Sequence, residues 1–375
     1  FFFDMSGDMK PCIAIVDLCP FLKDEEKKIS NSNKFKDDEI VKSQLKAALE
    51  LHEAFQDTGF AIVVNHGIQK ETSDILRAHS LKYFSLNIDK KSLLADGKSI
   101  KEVSTNGENP IQPHYQYMTE SVAQLLGDFT QPRDLVESLT YRGNYQQDYL
   151  DGKLEFPNEP NGFSDAIMNF EAACHRTRQI LTKCAEMAFD LPLDFLANQC
   201  SVKDESLRLA HYPEVANPSK QLRFGAHVDT YGLTMLMLDP EHPEGLQVLV
   251  KTPNGEEWVD VPYIENSIVI NVGALLSRWT GGLWKAAVHR VKFHPGRRMS
   301  IVSGALKPRN DVVMQTLCPK DVLKNQIMYP PILVEDFVKE RVKLHYPQYL
   351  EDKNEGQKDP EFIQTLQNEI KGYHI

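Results

Sequence analysis

Two histidines and one aspartate form the strongest chemical signal in this sequence. His227 and Asp229 form a His-x-Asp motif, and His289 lies further along the chain. On a strand, side chains two residues apart lie on one face, so His227 and Asp229 can reach the same ion. Two neutral imidazoles and one carboxylate suit ferrous iron and leave coordination positions open for substrates and dioxygen. The three residues therefore indicate an open metal site.

A second pair of polar residues follows these three. Arg298 and Ser300 are two residues apart on a β-type run and would share one face of a strand. A guanidinium beside a hydroxyl can bind a carboxylate, and a buried guanidinium needs an anionic ligand. Without the metal motif, the pair would be typical of an ordinary surface strand. Its position shortly after His289 favours a carboxylate-binding site.

Hydrophobic patterns predict the elements that must position these groups. Apolar residues at helical spacing predict helices over residues 37–57 and 163–189, and a helical pattern also covers 70–84. After Ser206 the pattern changes to short β-type runs separated by turns, which is typical of an antiparallel sandwich or small barrel. The strands predicted there are 207–211, 233–238, 246–250, 258–261, 267–272, 288–293 and 299–302, and two earlier β-type runs are 13–18 and 60–64. Residues 98–116 show little periodicity and are expected to be irregular.

Composition and charge restrict the class of protein. The 375 residues include 25% charged and 41% hydrophobic positions, which is typical of a globular protein. Lys and Arg number 42 against 53 Asp and Glu, and this net charge of −11 disfavours nucleic acid and anionic membranes as partners. Six scattered cysteines indicate free thiols, and no apolar run is long enough to span a membrane. We expect a cytoplasmic monomer that acts on a small molecule.

Several short motifs occur in a specific order along most of the chain. They occupy residues 15–18, 59–60, 65–68, 212–213, 227–229, 233–234, 271–273, 289–291 and 298–300. In this order and spacing, the chain resembles the iron(II)- and 2-oxoglutarate-dependent dioxygenases of the isopenicillin N synthase-like branch. The resemblance implies a mainly β fold with α elements, in which helices and an N-terminal α/β extension flank a double-stranded β-helix, or jelly roll.

The same resemblance implies how the chain is organised and what it binds. Residues 10–200 would form the extension that contributes to the substrate pocket, 201–315 the catalytic jelly roll and 316–375 a C-terminal helical tail, all in one integrated domain. The implied binding residues are His227, Asp229 and His289 for Fe(II), and Arg298, Ser300 and Tyr212 for 2-oxoglutarate. The implied reaction uses O2 to oxidise an unactivated C–H bond by hydroxylation, desaturation or ring closure, and releases succinate and CO2.

Substrate contacts in this branch come from the extension and from the strand that follows the arginine and serine. Four residues are therefore candidate substrate contacts, namely Tyr115, Tyr117, Arg142 and Lys307. The two cations among them favour a carboxylate-bearing substrate such as an amino-acid derivative or organic acid. Two further histidines, His242 and His294, are expected to be solvated or packed side chains.

The sequence leaves two alternative functions open. A zinc-dependent hydrolase could use the same three metal ligands, although it would not explain Arg298 beside Ser300. An iron oxidase of the same fold could bind its substrate at this pair and use no 2-oxoglutarate. The chain also departs from the family pattern, since Ala210 replaces a common asparagine and Tyr231 replaces a usual glycine. These departures indicate a reshaped pocket.

Overall fold

The computed structural model describes most of the chain. The described residues are 2–3, 9–10, 13–22, 38–87, 115–119, 134–143, 145–152, 154, 156–157, 159–200, 206–215, 222–253, 255–317 and 329–345. The strands are β1 (Phe2–Phe3), β2 (Met9–Lys10), β3 (Ala14–Asp17), β4 (Phe60–Val64), β5 (Tyr115–Thr119), β6 (Glu137–Tyr141), β7 (Leu207–Tyr212), β8 (Phe224–His227), β9 (Leu233–Met237), β10 (Leu246–Thr252), β11 (Gly255–Asp260), β12 (Ile268–Val272), β13 (His289–Val291), β14 (Arg298–Ala305), β15 (Val313–Met314) and β16 (Ile332–Leu333).

Two of the sheets form the core of the fold. The larger has the order β3-β4-β12-β9-β14-β7-β6-β5, and the smaller has the order β11-β10-β13-β8. Within these two sheets only β3 and β4 pair in parallel. An apolar cluster with members in both sheets, including Phe60, Val248 and Val269, fills the space between them. Two packed sheets with crossover connections are the jelly-roll arrangement, so the predicted double-stranded β-helix is confirmed.

Helices cover the outer face of the larger sheet. The helices of the described chain include α1 (Asp38–Asp57), α2 (Lys70–Phe84), α3 (Tyr145–Leu150), α4 (Phe163–Ala188), α5 (Ala274–Trp279) and α6 (Val334–His345), of which α1, α2 and α4 contact this sheet. Both α1 and α2 pack on α4, and α2 and α4 also contact β14. A larger apolar cluster that includes Phe170, Leu209 and Ile301 lies between these helices and the sheet. The helices thereby support β14, the strand that begins at Arg298. None of the described helices is both long and apolar enough to cross a bilayer.

The structure differs from the sequence prediction mainly in the strands. The predicted strand 258–261 is found at Gly255–Asp260, and β14 extends to Ala305. Strands β5, β6 and β8 and the two-residue strands β1, β2, β15 and β16 are absent from the predicted set. Residues 115–116, predicted to be irregular, begin β5. Residues 98–114 lie outside the described part of the chain. The predicted division at residues 200 and 315 stays a prediction.

Candidate active site

The pairing of β8 with β13 brings two histidines together. His227 ends β8, His289 begins β13, and the two are direct partners in the antiparallel register. Their ring centroids are 4.2 Å apart. Asp229 follows β8 by two residues, and its Oδ1 lies 3.5 Å from Nε2 of His227 and 3.9 Å from Nε2 of His289. The structure therefore places the three side chains predicted to bind metal around one point.

Backbone carbonyls set the orientation of both imidazole rings. Nδ1 of His227 lies 2.9 Å from the carbonyl oxygen of Gly225, and Nδ1 of His289 lies 3.1 Å from that of Ala287. Because a carbonyl can only accept a hydrogen bond, each ring carries its proton on Nδ1. The lone pair is then on Nε2, the atom that faces Asp229. This is the tautomer that a metal-binding histidine requires.

Two neighbouring side chains orient the carboxylate. Oδ2 of Asp229 accepts hydrogen bonds from Thr234 Oγ1 at 2.6 Å and from Asn271 Nδ2 at 2.8 Å. The backbone carbonyl of Asp229 accepts a third from the amide of Ala274, at the start of α5, at 2.7 Å. These bonds leave Oδ1 directed at the histidines. Thr234 and Asn271 belong to the motifs quoted above, but the sequence indicated no role for them.

The charge states in this cluster suit a cation. Burial lowers the pKa of His289 to about 4, and repulsion from His227 contributes. Burial acts to raise the pKa of Asp229, but attraction to His289 and His227 and the hydrogen bond from Asn271 outweigh it and hold that pKa well below its usual range. At neutral pH His289 is therefore neutral and Asp229 is anionic, the states in which both can bind a metal.

Loss of the Thr234 hydroxyl is expected to weaken metal binding. In Thr234→Ala the carboxylate of Asp229 loses one of the two side-chain hydrogen bonds that hold Oδ2. Residues that orient a ligand typically contribute about 10- to 100-fold in metal affinity, so we expect the Kd for Fe(II) to rise within that range. Thr234→Ser keeps the hydroxyl and should bind Fe(II) like the wild type under anaerobic titration. Equal affinities for the alanine and serine variants would contradict this role.

Strands β7 and β14 place a buried arginine beside a serine and a tyrosine. Arg298 is 4% exposed and lies opposite Tyr212 in the register, with its guanidinium carbon 5.4 Å from the tyrosine ring centroid. Its Nε donates to Ser300 Oγ at 3.1 Å, and its Nη1 donates to the carbonyl of Glu244 at 2.9 Å. Among the described residues, no carboxylate forms an ion pair with this guanidinium. A buried charge of this kind is stabilised by an anionic ligand.

The backbone between Arg298 and Ser300 is held from two directions. The amide of Met299 donates to Asp239 Oδ2 at 2.6 Å. The carbonyl of Met299 accepts a hydrogen bond of 3.3 Å from Nε of Arg77, which lies on α2. Both partners are buried. Because neighbouring side chains on a strand project to opposite faces, fixing Met299 also fixes the direction of the arginine and the serine.

The four candidate substrate contacts lie in three parts of the chain. Lys307 follows β14, and its Nζ is 5.0 Å from the ring centroid of Tyr231, two residues after Asp229. Arg142 directly follows β6 and is half-buried. Tyr115 and Tyr117 lie on β5, and the structure does not describe their side chains. Their contact with a substrate stays a prediction.

A cation outside the predicted set, Arg208, lies one aromatic ring away from His227. Arg208 is opposite Thr140 of β6 in the register, and its guanidinium carbon is 4.7 Å from the ring centroid of Phe224. The same phenylalanine ring is 4.5 Å from that of His227, so one aromatic ring separates the guanidinium from a predicted metal ligand. Arg208 precedes Tyr212 by four residues, and a period of two along β7 puts both on one face. The alternation of side chains along β7 was the sequence signal that could have identified Arg208.

Comparison with known proteins agrees with the fold and indicates the family. Residues 203–304 match the 2OG-Fe(II) oxygenase superfamily, and residues 30–159 match the family described as non-haem dioxygenase in morphine synthesis N-terminal. The chain is 30% identical over 272 residues to the 2-oxoglutarate-dependent dioxygenase tropC of Talaromyces stipitatus. That match covers 69% of this chain and 79% of tropC.

Solved structures show the same fold. A full-length Neurospora crassa protein in complex with alpha-KG and thymine matches with a TM-score of 0.66 and 25% identity over 89% of this chain and 97% of that chain. JOX2 in complex with 2OG, Fe and JA matches with a TM-score of 0.63 and 18% identity over 89% of this chain and 85% of that chain. Both matches span most of each chain, so they support the fold as a whole.

The jelly roll and the predicted metal-binding triad of His227, Asp229 and His289 are together typical of a non-haem oxygenase. The relatives make the assignment narrower: the chain belongs to the iron(II)- and 2-oxoglutarate-dependent dioxygenases, the family that the sequence motifs resemble. It is therefore an enzyme that uses Fe(II), 2-oxoglutarate and O2 to oxidise a small molecule. The zinc hydrolase and the oxidase without 2-oxoglutarate are not supported by these relatives.

Proposed function

We propose that two groups of residues carry out this reaction, namely the iron ligands His227, Asp229 and His289, and the 2-oxoglutarate-binding residues Arg298, Ser300 and Tyr212. One observation carries the first assignment. Oδ1 of the aspartate faces Nε2 of both imidazoles, while every other polar ring or carboxylate atom of the three has a hydrogen-bond partner. The donor set therefore fits ferrous iron with open coordination positions.

The protein contributes placement and exclusion of water. Bound iron supplies the activation of dioxygen, coupled to oxidation of 2-oxoglutarate to succinate and CO2. Arg298 would neutralise the distal carboxylate of 2-oxoglutarate and fix its orientation. Phe224 and Phe60 pack edge-on against the rings of His227 and His289, at 4.5 and 5.4 Å between centroids. These rings shield the ligands from water.

Anaerobic reconstitution tests the proposed residue roles. Addition of 2-oxoglutarate to the Fe(II) protein is expected to produce a weak visible charge-transfer band, because the keto acid binds the metal directly. Admission of air should then yield succinate. A protein that shows no band and retains zinc tightly would contradict the proposal.

The substrate is proposed to carry an anionic group, such as a carboxylate, that binds Arg208. This guanidinium projects from the same face of β7 as Tyr212 and lies beside the aromatic ring that touches His227. The hydroxyl of Thr140, directly across the strand pair, is buried and has no hydrogen-bond partner among the described residues. An arginine and a hydroxyl on one face suit a planar carboxylate. Arg142, Lys307, Tyr115 and Tyr117 stay predicted contacts for the rest of the substrate.

The proposed anchor can be tested with matched acids and amides. A panel of small carboxylic acids is screened for stimulation of succinate formation, and each active acid is compared with its amide. Arg208→Ala should raise KM for the acid by about 100-fold, since loss of one partner of a buried charge pair costs roughly 2 to 5 kcal/mol. Arg208→Lys should recover part of the loss, and KM for 2-oxoglutarate should stay unchanged in both variants. An active acid whose KM is the same in wild type and Arg208→Ala would contradict the assignment.

A cytoplasmic location and a monomeric state complete the proposal. Four cysteines in the described part of the chain, Cys19, Cys174, Cys184 and Cys200, are free thiols. Free thiols support a reducing compartment. Light scattering of the purified protein measures the oligomeric state directly.

A further inference from the structure

A second group of metal-binding side chains lies outside the proposed iron site. His242 and Glu244 are in the connection between β9 and β10, and His294 is in the connection between β13 and β14. Oε1 of Glu244 lies 2.6 Å from Nε2 of His294 and 3.9 Å from Nδ1 of His242. The two imidazole centroids are 5.1 Å apart. Within the described part of the chain, only this group and the His227–Asp229–His289 group place three such ligand atoms within 4.8 Å of one another.

We propose that His242, Glu244 and His294 bind a second divalent transition metal, with Zn²⁺ as the ion that best suits the donor set. Two imidazoles and one carboxylate are a known zinc ligand combination, with a water as fourth ligand. A tetrahedral ion with bonds of about 2.0 Å separates its ligand atoms by about 3.3 Å. The 2.6 Å separation between Glu244 and His294 must therefore widen, and the 3.9 Å separation between Glu244 and His242 must narrow, each by less than about 1 Å. Half-exposed side chains can move this far by rotation. Exposed fractions of 30 to 48% let the ion enter from solvent.

The local backbone is compatible with this close approach of the two rings. A Cβ at Gly296 would lie 2.8 Å from His242 Cε1 and 2.9 Å from His294 Cε1, so a larger residue would push the imidazoles away. The amide of Gly296 donates to Nδ1 of His294 at 3.1 Å, and in the metal-free protein Nε2 therefore carries the proton and donates to Glu244. Metal binding at Nε2 moves the ring proton to Nδ1 and breaks the bond from Gly296. The second site should consequently bind zinc more weakly than the triad.

The second site lies next to a residue proposed to bind 2-oxoglutarate. The carbonyl of Glu244 accepts the hydrogen bond from Nη1 of Arg298 at 2.9 Å. The carbonyl of His294 accepts hydrogen bonds from the buried guanidinium of Arg223. A metal bound by both connections would join the segment whose Glu244 carbonyl contacts Arg298 to the segment that leads into Arg298.

Zinc stoichiometry tests the second site independently of turnover. The metal-free wild type is dialysed against buffered Zn²⁺ and then analysed for bound metal. We expect it to hold two equivalents of zinc. His242→Ala and Glu244→Gln should each hold one equivalent. Asp229→Ala should also hold one equivalent, because it disrupts only the site formed by His227, Asp229 and His289. His175→Ala, which changes an exposed histidine on α4, is the matched control and should hold two. Circular dichroism of each variant checks that the fold is kept.

Two outcomes would overturn the proposal. In the first, the wild type holds one equivalent of Zn²⁺, which Asp229→Ala loses and His242→Ala keeps. The second is retention of two equivalents by both His242→Ala and Glu244→Gln. Glu244→Gln keeps a hydrogen-bond acceptor for His294 and is half-exposed, so it tests the site even if the histidine variant does not fold. A failure of the iron-site proposal would instead appear as two equivalents in Asp229→Ala.

Discussion

Asp229→Ala is expected to abolish Fe(II) binding and 2-oxoglutarate turnover. The variant removes Oδ1, the one anionic donor that faces both imidazoles, and leaves two neutral nitrogens that hold a divalent cation poorly. Because a catalytic metal typically contributes several kcal/mol, succinate formation should fall by about 1000-fold or more. Anaerobic Fe(II) titration and the charge-transfer band with 2-oxoglutarate measure the loss before any turnover.

The control for this variant is an aspartate that forms a surface ion pair. Oδ1 of Asp260 lies 2.8 Å from Nζ of Lys292, and the aspartate side chain is 62% exposed. Asp260→Ala should bind Fe(II) and form succinate like the wild type, since exposed ion pairs contribute little to stability. Retention of one equivalent of Fe(II) with an unchanged band in Asp229→Ala would show that the metal binds elsewhere.

Two of the proposed iron ligands could be recognised in the sequence because the relevant pattern is local. A period of two puts His227 and Asp229 on one side of a strand end, and their chemistry indicates a cation. The third ligand is different, since nothing in the spacing of His289 shows that β13 pairs with β8. That pairing joins distant segments, and the family resemblance rather than the local pattern supplied it. The long helices were also predictable, because their apolar spacing persists over several turns.

The groups that orient the site depend on contacts between distant segments. Arg77 is 222 residues from Met299, and Asn271 is 42 residues from Asp229, so no local pattern links them. Strand β6, Glu137–Tyr141, is also hard to recognise, because two of its polar residues, Ser138 and Thr140, are buried against neighbouring strands. Tertiary context outweighs strand propensity there. Arg208 was recognisable only after the face of β7 that carries Tyr212 was known.

Arg298→Ala is expected to weaken 2-oxoglutarate binding while the iron site stays intact. The guanidinium is buried and already hydrogen-bonded to Ser300 and to the Glu244 carbonyl, so it is held in place before the cosubstrate arrives. Removal of one partner of a buried charge pair costs roughly 2 to 5 kcal/mol, which corresponds to an increase in Kd for 2-oxoglutarate of about 100-fold or more. Titration of the charge-transfer band measures this Kd, and Fe(II) affinity should remain at the wild-type value.

Two further arginine variants separate charge from geometry. Arg298→Lys keeps the charge but cannot form two parallel hydrogen bonds, so its Kd should fall between those of the alanine variant and the wild type. Arg297→Ala removes the neighbouring arginine, whose side chain is 50% exposed, and should leave the Kd unchanged. An Arg298→Ala protein that binds 2-oxoglutarate as tightly as Arg297→Ala would place the distal carboxylate elsewhere. If Fe(II) affinity fell in parallel, the arginine would act through the stability of the jelly roll, because its guanidinium makes no contact with the metal ligands in the described part of the chain.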